Sequence, residues 1–291
     1  MANGFFTDTT LCIGCKACEV ACKQWNELPS DGFEFTGDSY DNTSQLSGTT
    51  WRHVAFVEQT GTVEVAGQDG AADPIAVDRW LMMSDVCKHC THAGCLEACP
   101  TGAIIRNEFG NVFIQPDVCN GCGYCVPSCP FGVVDIIESL TPGGKHSGGN
   151  YNTDVLHADR MKDTAVAHDG GVAGKCTLCY DRQRSGFVPA CAKACPTDSI
   201  QFGDVAELKE RAKKRVDQLG DRGVSSYLYG VDTDTSVGDL NAFFLLLEKP
   251  EAYNLPPRPV LPSTHQPAAY ASAAFAAAAL AALGCAIFRR R

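Results

Sequence analysis

The sequence has no excess of positive charge. Its 24 Lys and Arg stand against 34 Asp and Glu, a formal net charge of -10. That argues against nucleic acid as a partner, because proteins that bind it present a basic face. There is no Ser–His–Asp set, no phosphate-cradling glycine loop and no evident acid–base pair of carboxylates, so no bond-making chemistry is legible. "MANGFFTDTTLCIGC" lacks a basic start followed by a long apolar run, and no secretory leader is expected there. Charge is missing altogether from Ala268 to Phe288, and "RRR" follows.

What the sequence has in abundance is cysteine. Of its 17 cysteines, 16 fall into four groups of four: Cys12, Cys15, Cys18 and Cys22; Cys87, Cys90, Cys95 and Cys99; Cys119, Cys122, Cys125 and Cys129; Cys176, Cys179, Cys191 and Cys195. Cys285 stands alone in the tail. With 291 residues, one or two domains are expected, and small size does not force disulfide stapling.

Three chemistries compete for such groups. Disulfides close loops and spread their cysteines apart, whereas these sit two residues apart within tight turns. Zinc sites bring two C-x₂-C knuckles together across a spacer. Only the fourth group, with eleven residues between Cys179 and Cys191, has that form. The third group, "CNGCGYCVPSCP", is the C-x₂-C-x₂-C-x₃-C-P run of a [4Fe–4S] ferredoxin. The first repeats its spacing with Lys23 in place of proline. The second and fourth enlarge the central loop and keep the final x₃-C-P.

In this run the fourth cysteine ligates the neighbouring cluster, so the groups should work in pairs. Groups two and three are joined by "AIIRNEFGNVFIQ", which reads as a hairpin. Cys87, Cys90, Cys95 and Cys129 should then hold one cluster, and Cys119, Cys122, Cys125 and Cys99 the next. Groups one and four pair across the sequence: Cys12, Cys15, Cys18 with Cys195, and Cys176, Cys179, Cys191 with Cys22. The expected fold is α+β, with two ferredoxin-like two-cluster modules, one inserted in the other. Residues 1–60 and 141–249 form the outer module, 61–140 the inner. A Pro-rich stiff linker, 250–267, leads to a C-terminal transmembrane helix, 268–288.

Other elements read more simply. "WRHVAFVEQ" is a strand, Gly61–Asp73 is turn-rich, "DVAELKERAKKRVDQLGD" is a helix capped by Asp204, and "NAFFLLLEKP" is a buried strand. Lys16, Lys88, Lys175 and Lys193 adjoin cysteines. They either raise cluster potentials or are ordinary solvated lysines. His89 and His92 read as packing or hydrogen-bonding residues, and Trp25 as core.

"CIGCKACEVACKQWNE", "CKHCTHAGCLEACPTGAI", "CNGCGYCVPSCPFG" and "KCTLCYDRQRSGFVPACAKACPTDSI" together resemble the four-cluster iron–sulfur subunits of molybdenum and tungsten oxidoreductases. Among these the likeness is to the iron–sulfur (β) subunits of membrane-bound formate dehydrogenases. The segment Thr141–Gly174 looks longer than its counterpart there. The resemblance implies a separate molybdopterin-containing catalytic α subunit that oxidises formate. It implies a membrane cytochrome b γ subunit that reduces quinone, and electron transfer through four [4Fe–4S] clusters between them. It places the module of groups one and four against the catalytic subunit. An equivalent subunit of a nitrate, polysulfide or sulfoxide reductase, or a zinc-bound structural scaffold, is the alternative.

Ala268–Phe288 as a helix is about 31 Å long, close to a bilayer core of about 30 Å. Its small residues favour close packing on a partner helix. The arginines after it place the C-terminus in the cytoplasm and the cluster domain on the extracytoplasmic side of the cytoplasmic membrane. Cys285 reads as a small apolar residue of that helix.

Overall fold

The computed structural model describes residues 2–30, 41, 43, 45–66, 72–137 and 171–289. The core is a four-stranded sheet that joins the two ends of the protein, in the order β8-β1-β10-β9. β1 (Asn3–Asp8) runs parallel to β10 (Ala242–Leu246) and antiparallel to β8 (Ile200–Asp204). β9 (Tyr227–Tyr229) closes the far edge. All five residues of β10 are buried. Such a run, apolar on both faces, needs cover on both sides, and Phe6 stacks on Phe243 at 5.5 Å between ring centres.

The long helix expected after Asp204 is present, Val205–Gly220. Asp204 Oδ1 accepts the N–H groups of Ala206 at 2.9 Å and Glu207 at 3.2 Å, which satisfies two of the free donors of the first turn. Leu208, Ala212 and Leu219 turn its apolar stripe inward, while Arg211, Lys213 and Lys214 face solvent and Arg215 pairs with buried Asp8 at 2.9 Å.

The predicted hairpin between groups two and three is β4 (Ile104–Arg106) paired with β5 (Val112–Ile114). Its turn is tied by Asn107 Oδ1, which accepts from Phe109 N at 3.1 Å and Asn111 N at 2.9 Å. The strand at "WRHVAFVEQ" is longer than expected. β2 (Arg52–Ala66) pairs with β3 (Ala72–Val86) over its whole length, so most of the stretch read as turn-rich is ladder. "TVEV" continues the β-branched alternation past Gly61, and that pattern outweighed the glycine. β6 (Asp135–Ile137) pairs with β7 (Val172–Gly174) and ties the third group to the fourth. Most of Thr141–Gly174, residues 141–170, lies outside the described residues.

The segment expected as a stiff linker is packed against the body. Tyr253, Leu255 and Leu261 are buried. Leu261 N donates to Ser236 Oγ at 2.7 Å, and Ser263 Oγ donates to Glu97 Oε2 at 2.8 Å. Proline stiffens a segment without preventing it from docking. The helix expected over 268–288 is present within Gln266–Arg289, and Tyr270, Phe275 and Leu280 are exposed on it. Its spanning character does not emerge: among the described residues no helix is long and apolar enough to cross a membrane. Alanine, which fills most of this one, carries little apolar surface per residue.

At Gly4 the backbone leading into β10 lies close against β1. A Cβ there would stand 1.9 Å from the Asn241 carbonyl oxygen, the same oxygen that accepts Phe5 N–H at 2.8 Å. Gly4→Ala must push β1 from β10, at a cost of about 1–3 kcal/mol. The expected outcome is a lower midpoint of denaturant unfolding at unchanged m-value; an unchanged midpoint would show that the strands yield freely.

Candidate metal centres

The four groups share a local conformation. In the first C-x₂-C loop of every group the residue just before the second cysteine has positive φ: Gly14 at 67°, His89 at 45°, Gly121 at 70° and Leu178 at 56°. Two of these are glycine, for which the left-handed region is free. His89 and Leu178 hold it at a steric cost of about 1–2 kcal/mol each. The turn reverses the backbone within three residues, so two thiols of one loop face the same side. Buried surroundings hold the costly pair in place, since His89 is 1% and Leu178 0% exposed. In the fourth loop Leu178 N donates to Cys176 Sγ at 3.3 Å. Arg106 clamps the second, donating to the carbonyls of Cys90 and Thr91 at 2.8 Å each.

The last thiol of each group stands with the other group's thiols. Cys87, Cys90, Cys95 and Cys129 line one cavity. Cys12, Cys15, Cys18 and Cys195 line another. Burial raises the Cys22 thiol well above its ordinary range, and Cys176, Cys191 and Cys179 raise it further. Burial likewise lifts Cys125 to about 11, with Cys119, Cys122 and Cys99 adding to it. Hydroxyls and amides reach several sulfurs. Ser84 Oγ lies 3.1 Å from Cys18 Sγ, Thr101 Oγ1 3.6 Å from Cys99 Sγ and Thr197 Oγ1 3.7 Å from Cys195 Sγ. Ala173 N donates to Cys119 Sγ at 3.4 Å.

Sequence spacing left the order of these sets open, and interactions between thiols of different sets bear on it. Cys18 of the first set feels Cys191 of the set around Cys22. Cys176 of that set feels Cys87 more than any other thiol. Cys95 feels Cys125 of the last set. The sets therefore follow in one series: that of Cys12, that of Cys176, that of Cys87, that of Cys119. Cys15 and Cys122 are exposed, and they belong to the two ends.

The flanking cations sort into two kinds. Lys88 and Lys175 are buried at 1% and 3% exposure, whereas Lys193 is exposed. Lys88 pairs with Asp85. Lys175 Nζ donates to the carbonyls of Val112 at 2.5 Å and Cys176 at 3.1 Å. Burial lowers its pKa, but Cys87, Cys95, Cys176 and Cys129 more than offset this, and it stays charged. Burial and the charges of Lys175 and Arg106 push His89 well below its usual range, so it is neutral; His92 is exposed. Trp25 is not core: it is 44% exposed, its indole N–H donates to Asp181 Oδ2 at 2.8 Å, and Arg182 lies over its ring at 4.2 Å. Sequence reasoning missed Arg52, fully buried among thiols. Its only signal was a charge at the start of a strand that is otherwise apolar on the inward side.

These surroundings fit iron–sulfur clusters. All sixteen thiols are free. Among the described residues no three His, Cys, Asp or Glu side chains close on a point as a single ion requires. The thiols stand around a space instead, as a multi-atom cluster needs. Two family models match, each described as a 4Fe-4S dicluster domain, one over residues 11–103 and one over 78–141 and 160–205. The formate dehydrogenase iron-sulfur subunit of Haemophilus influenzae is 37% identical over 252 residues, 85% of this chain and 66% of that protein. The nitrate-inducible formate dehydrogenase iron-sulfur subunit of Escherichia coli is 35% identical over 263 residues, 88% of this chain and 73% of that protein. A subunit of the anaerobic dimethyl sulfoxide reductase of Escherichia coli is 28% identical over 208 residues, 72% of this chain and 76% of that protein. This chain thus spans roughly two thirds to three quarters of these relatives. With dicluster domains over its cysteine loops and a third or more of its residues shared along most of its length, the protein belongs to the family of formate dehydrogenase iron–sulfur subunits and carries [4Fe–4S] clusters.

Proposed function

We propose that this protein is the electron conductor of a formate-oxidising complex, with four [4Fe–4S] clusters held by the crossed quartets. The ligand sets are Cys12, Cys15, Cys18 and Cys195; Cys22, Cys176, Cys179 and Cys191; Cys87, Cys90, Cys95 and Cys129; Cys99, Cys119, Cys122 and Cys125. Each cluster supplies one-electron redox chemistry when bound. The protein's own part is to fix the sites in series, keep water from the inner ones and set the charge around them. The observation that carries this reading is the series itself, with an exposed thiol at each end and, between them, thiols that are all buried except the half-buried Cys129.

The end at Cys15 would meet a molybdopterin-containing catalytic subunit. Ile13 and Val20, in the loop and helix of the first group, are exposed at about 60%, an apolar surface suited to a partner. The end at Cys122, with exposed Tyr124, would meet a membrane cytochrome b subunit. The outer module, residues 1–60 and 141–249, and the inserted one, 61–140, would each hold two clusters. The likeness to the sulfoxide reductase subunit favours a second reading, the same conductor serving a different large subunit. The substrate never touches this protein, so its partner decides.

The tail helix fits membrane attachment. It is free of charge from Ala268 to Phe288, ends in three arginines, and leaves the body beside Glu97, next to the inner series. Small residues along it suit a partner's helix within the bilayer. The cluster domain would then stand outside the cytoplasmic membrane with Arg291 in the cytoplasm.

Three measurements test this. Cys129→Ala is expected to lose the cluster of Cys87, Cys90 and Cys95, with the one at Cys119, Cys122 and Cys125 intact by electron paramagnetic resonance; loss of the latter alone would refute the crossing. The purified, cluster-loaded protein is expected to leave formate untouched, and the complex with its large subunit to pass electrons from formate to a dye; turnover without that subunit sinks the division of labour. In sealed vesicles a tag at Arg291 is expected to yield to protease only from the cytoplasmic side, and cleavage from the other face reverses the topology.

A further inference from the structure

Arg52 is 1% exposed, at the start of β2. One terminal nitrogen, Nη1, donates to Ser84 Oγ at 3.0 Å and lies 3.3 Å from the Ser84 carbonyl oxygen. Ser84 Oγ in turn contacts Cys18 Sγ at 3.1 Å. The guanidinium lies over the Phe5 ring at 4.8 Å. Its other donors, Nε and Nη2, are buried with no hydrogen-bond partner, and among the described residues no carboxylate pairs with it. A buried charge with no partner is destabilising by several kcal/mol, so such an arginine persists only if an anion faces it. The groups that answer it are four cysteine sulfurs, Cys191, Cys18, Cys176 and Cys22, which are anionic as the thiolates that hold a cluster. They come from two different quartets, Cys18 from the first and the other three from the second.

We propose that Arg52 is a positioning residue for electron transfer, the shared counter-charge of the first two clusters. This rests on the crossed ligation above. Its free Nε–H and Nη2–H groups are the donors left for the sulfurs of the two sites. Its fixed positive charge raises the reduction potential of both, since hydrogen bonds to sulfur and nearby charge set that potential. Arginine suits the place better than lysine: it stays charged when buried, and its planar fork reaches two sides at once while Ser84 holds a third corner. The effect is strongest here because water, which would screen it, is excluded.

The test is a potentiometric titration, followed by electron paramagnetic resonance, of the intact complex bearing Arg52→Gln or Arg52→Lys. Clusters are assigned with single Cys→Ser variants, and iron content is measured alongside. Arg52→Gln is expected to disfavour reduction at least tenfold, about 59 mV for a one-electron couple, at the clusters of Cys12 and Cys176. The clusters of Cys87 and Cys119 keep the parent values. Arg52→Lys keeps the charge, loses the fork, and moves the same two by less. Fewer than four clusters in the parent complex would remove the proposed function and this inference with it. Four clusters whose potentials do not move, or all move alike, would overturn the inference alone. If Arg52→Gln fails to assemble, Arg52→Lys decides: a shift confined to the same two clusters supports the role, and no selective shift overturns it.

Discussion

The structure depends on one constraint: the last thiol of each cysteine group faces the thiols of a different group. Meeting it forces distant parts of the sequence together, and the fold does so twice with the same device. β1 and β8 are antiparallel, so the segment leaving β1 toward Cys12 and the segment arriving at β8 from Cys195 lie at one edge of the sheet. β4 and β5 are antiparallel as well, and they put Cys99, just before β4, beside Cys119, just after β5. Each crossing is thus supported by a strand pair whose backbone hydrogen bonds are independent of any metal. The loops are presented by a frame and do not have to find one another.

Gathering so many sulfurs in one interior creates an electrostatic problem. Burial first, and neighbouring thiols and acids after it, raise the thiols, Cys18 and Cys179 to about 12, which means that the bare site resists the thiolate form a cluster needs. The fold answers with buried cations. Arg52 faces thiols of the first and second sets, Lys175 those of the second and third, and Lys88, paired with Asp85, adds to the surroundings of Cys129. None of these is a surface charge, so salt has little hold on them.

The sequence made the sites legible and left their relations half-legible. Spacing within a loop is a local property, and C-x₂-C with x₃-C-P names the chemistry directly. The hairpin between Cys99 and Cys119 was also readable, because turn residues and β-branched alternation coincide there. The order of the sets was not, since it rests on Cys176 lying near Cys87, a tertiary contact that no spacing encodes. The length of β2 and β3 was hidden by Gly61, and Trp25 was misplaced because its partners Asp181 and Arg182 are far away in sequence. Arg52 looked like one charged residue in a strand. Only its surroundings, four thiols and, among the described residues, no carboxylate, distinguish it.

The distribution of exposure follows from what a conductor must do at its ends and its middle. At the ends a site must come close to a partner, and Cys15 and Cys122 are exposed accordingly. In the middle a site must hold its charge in a dry interior, where an unscreened cation has the most effect. That is where Arg52 and Lys175 lie. Toward the far end the leading neighbours of Cys125 are thiols alone, while a hydroxyl and backbone amides around Cys99 outweigh its partial burial and lower its pKa. Water and hydrogen bonds take over there the part that fixed cations play inside. A charge built into the interior is thus a consequence of insulation: the deeper a site is set to protect its electron, the less the solvent can do for it, and the more the protein must supply.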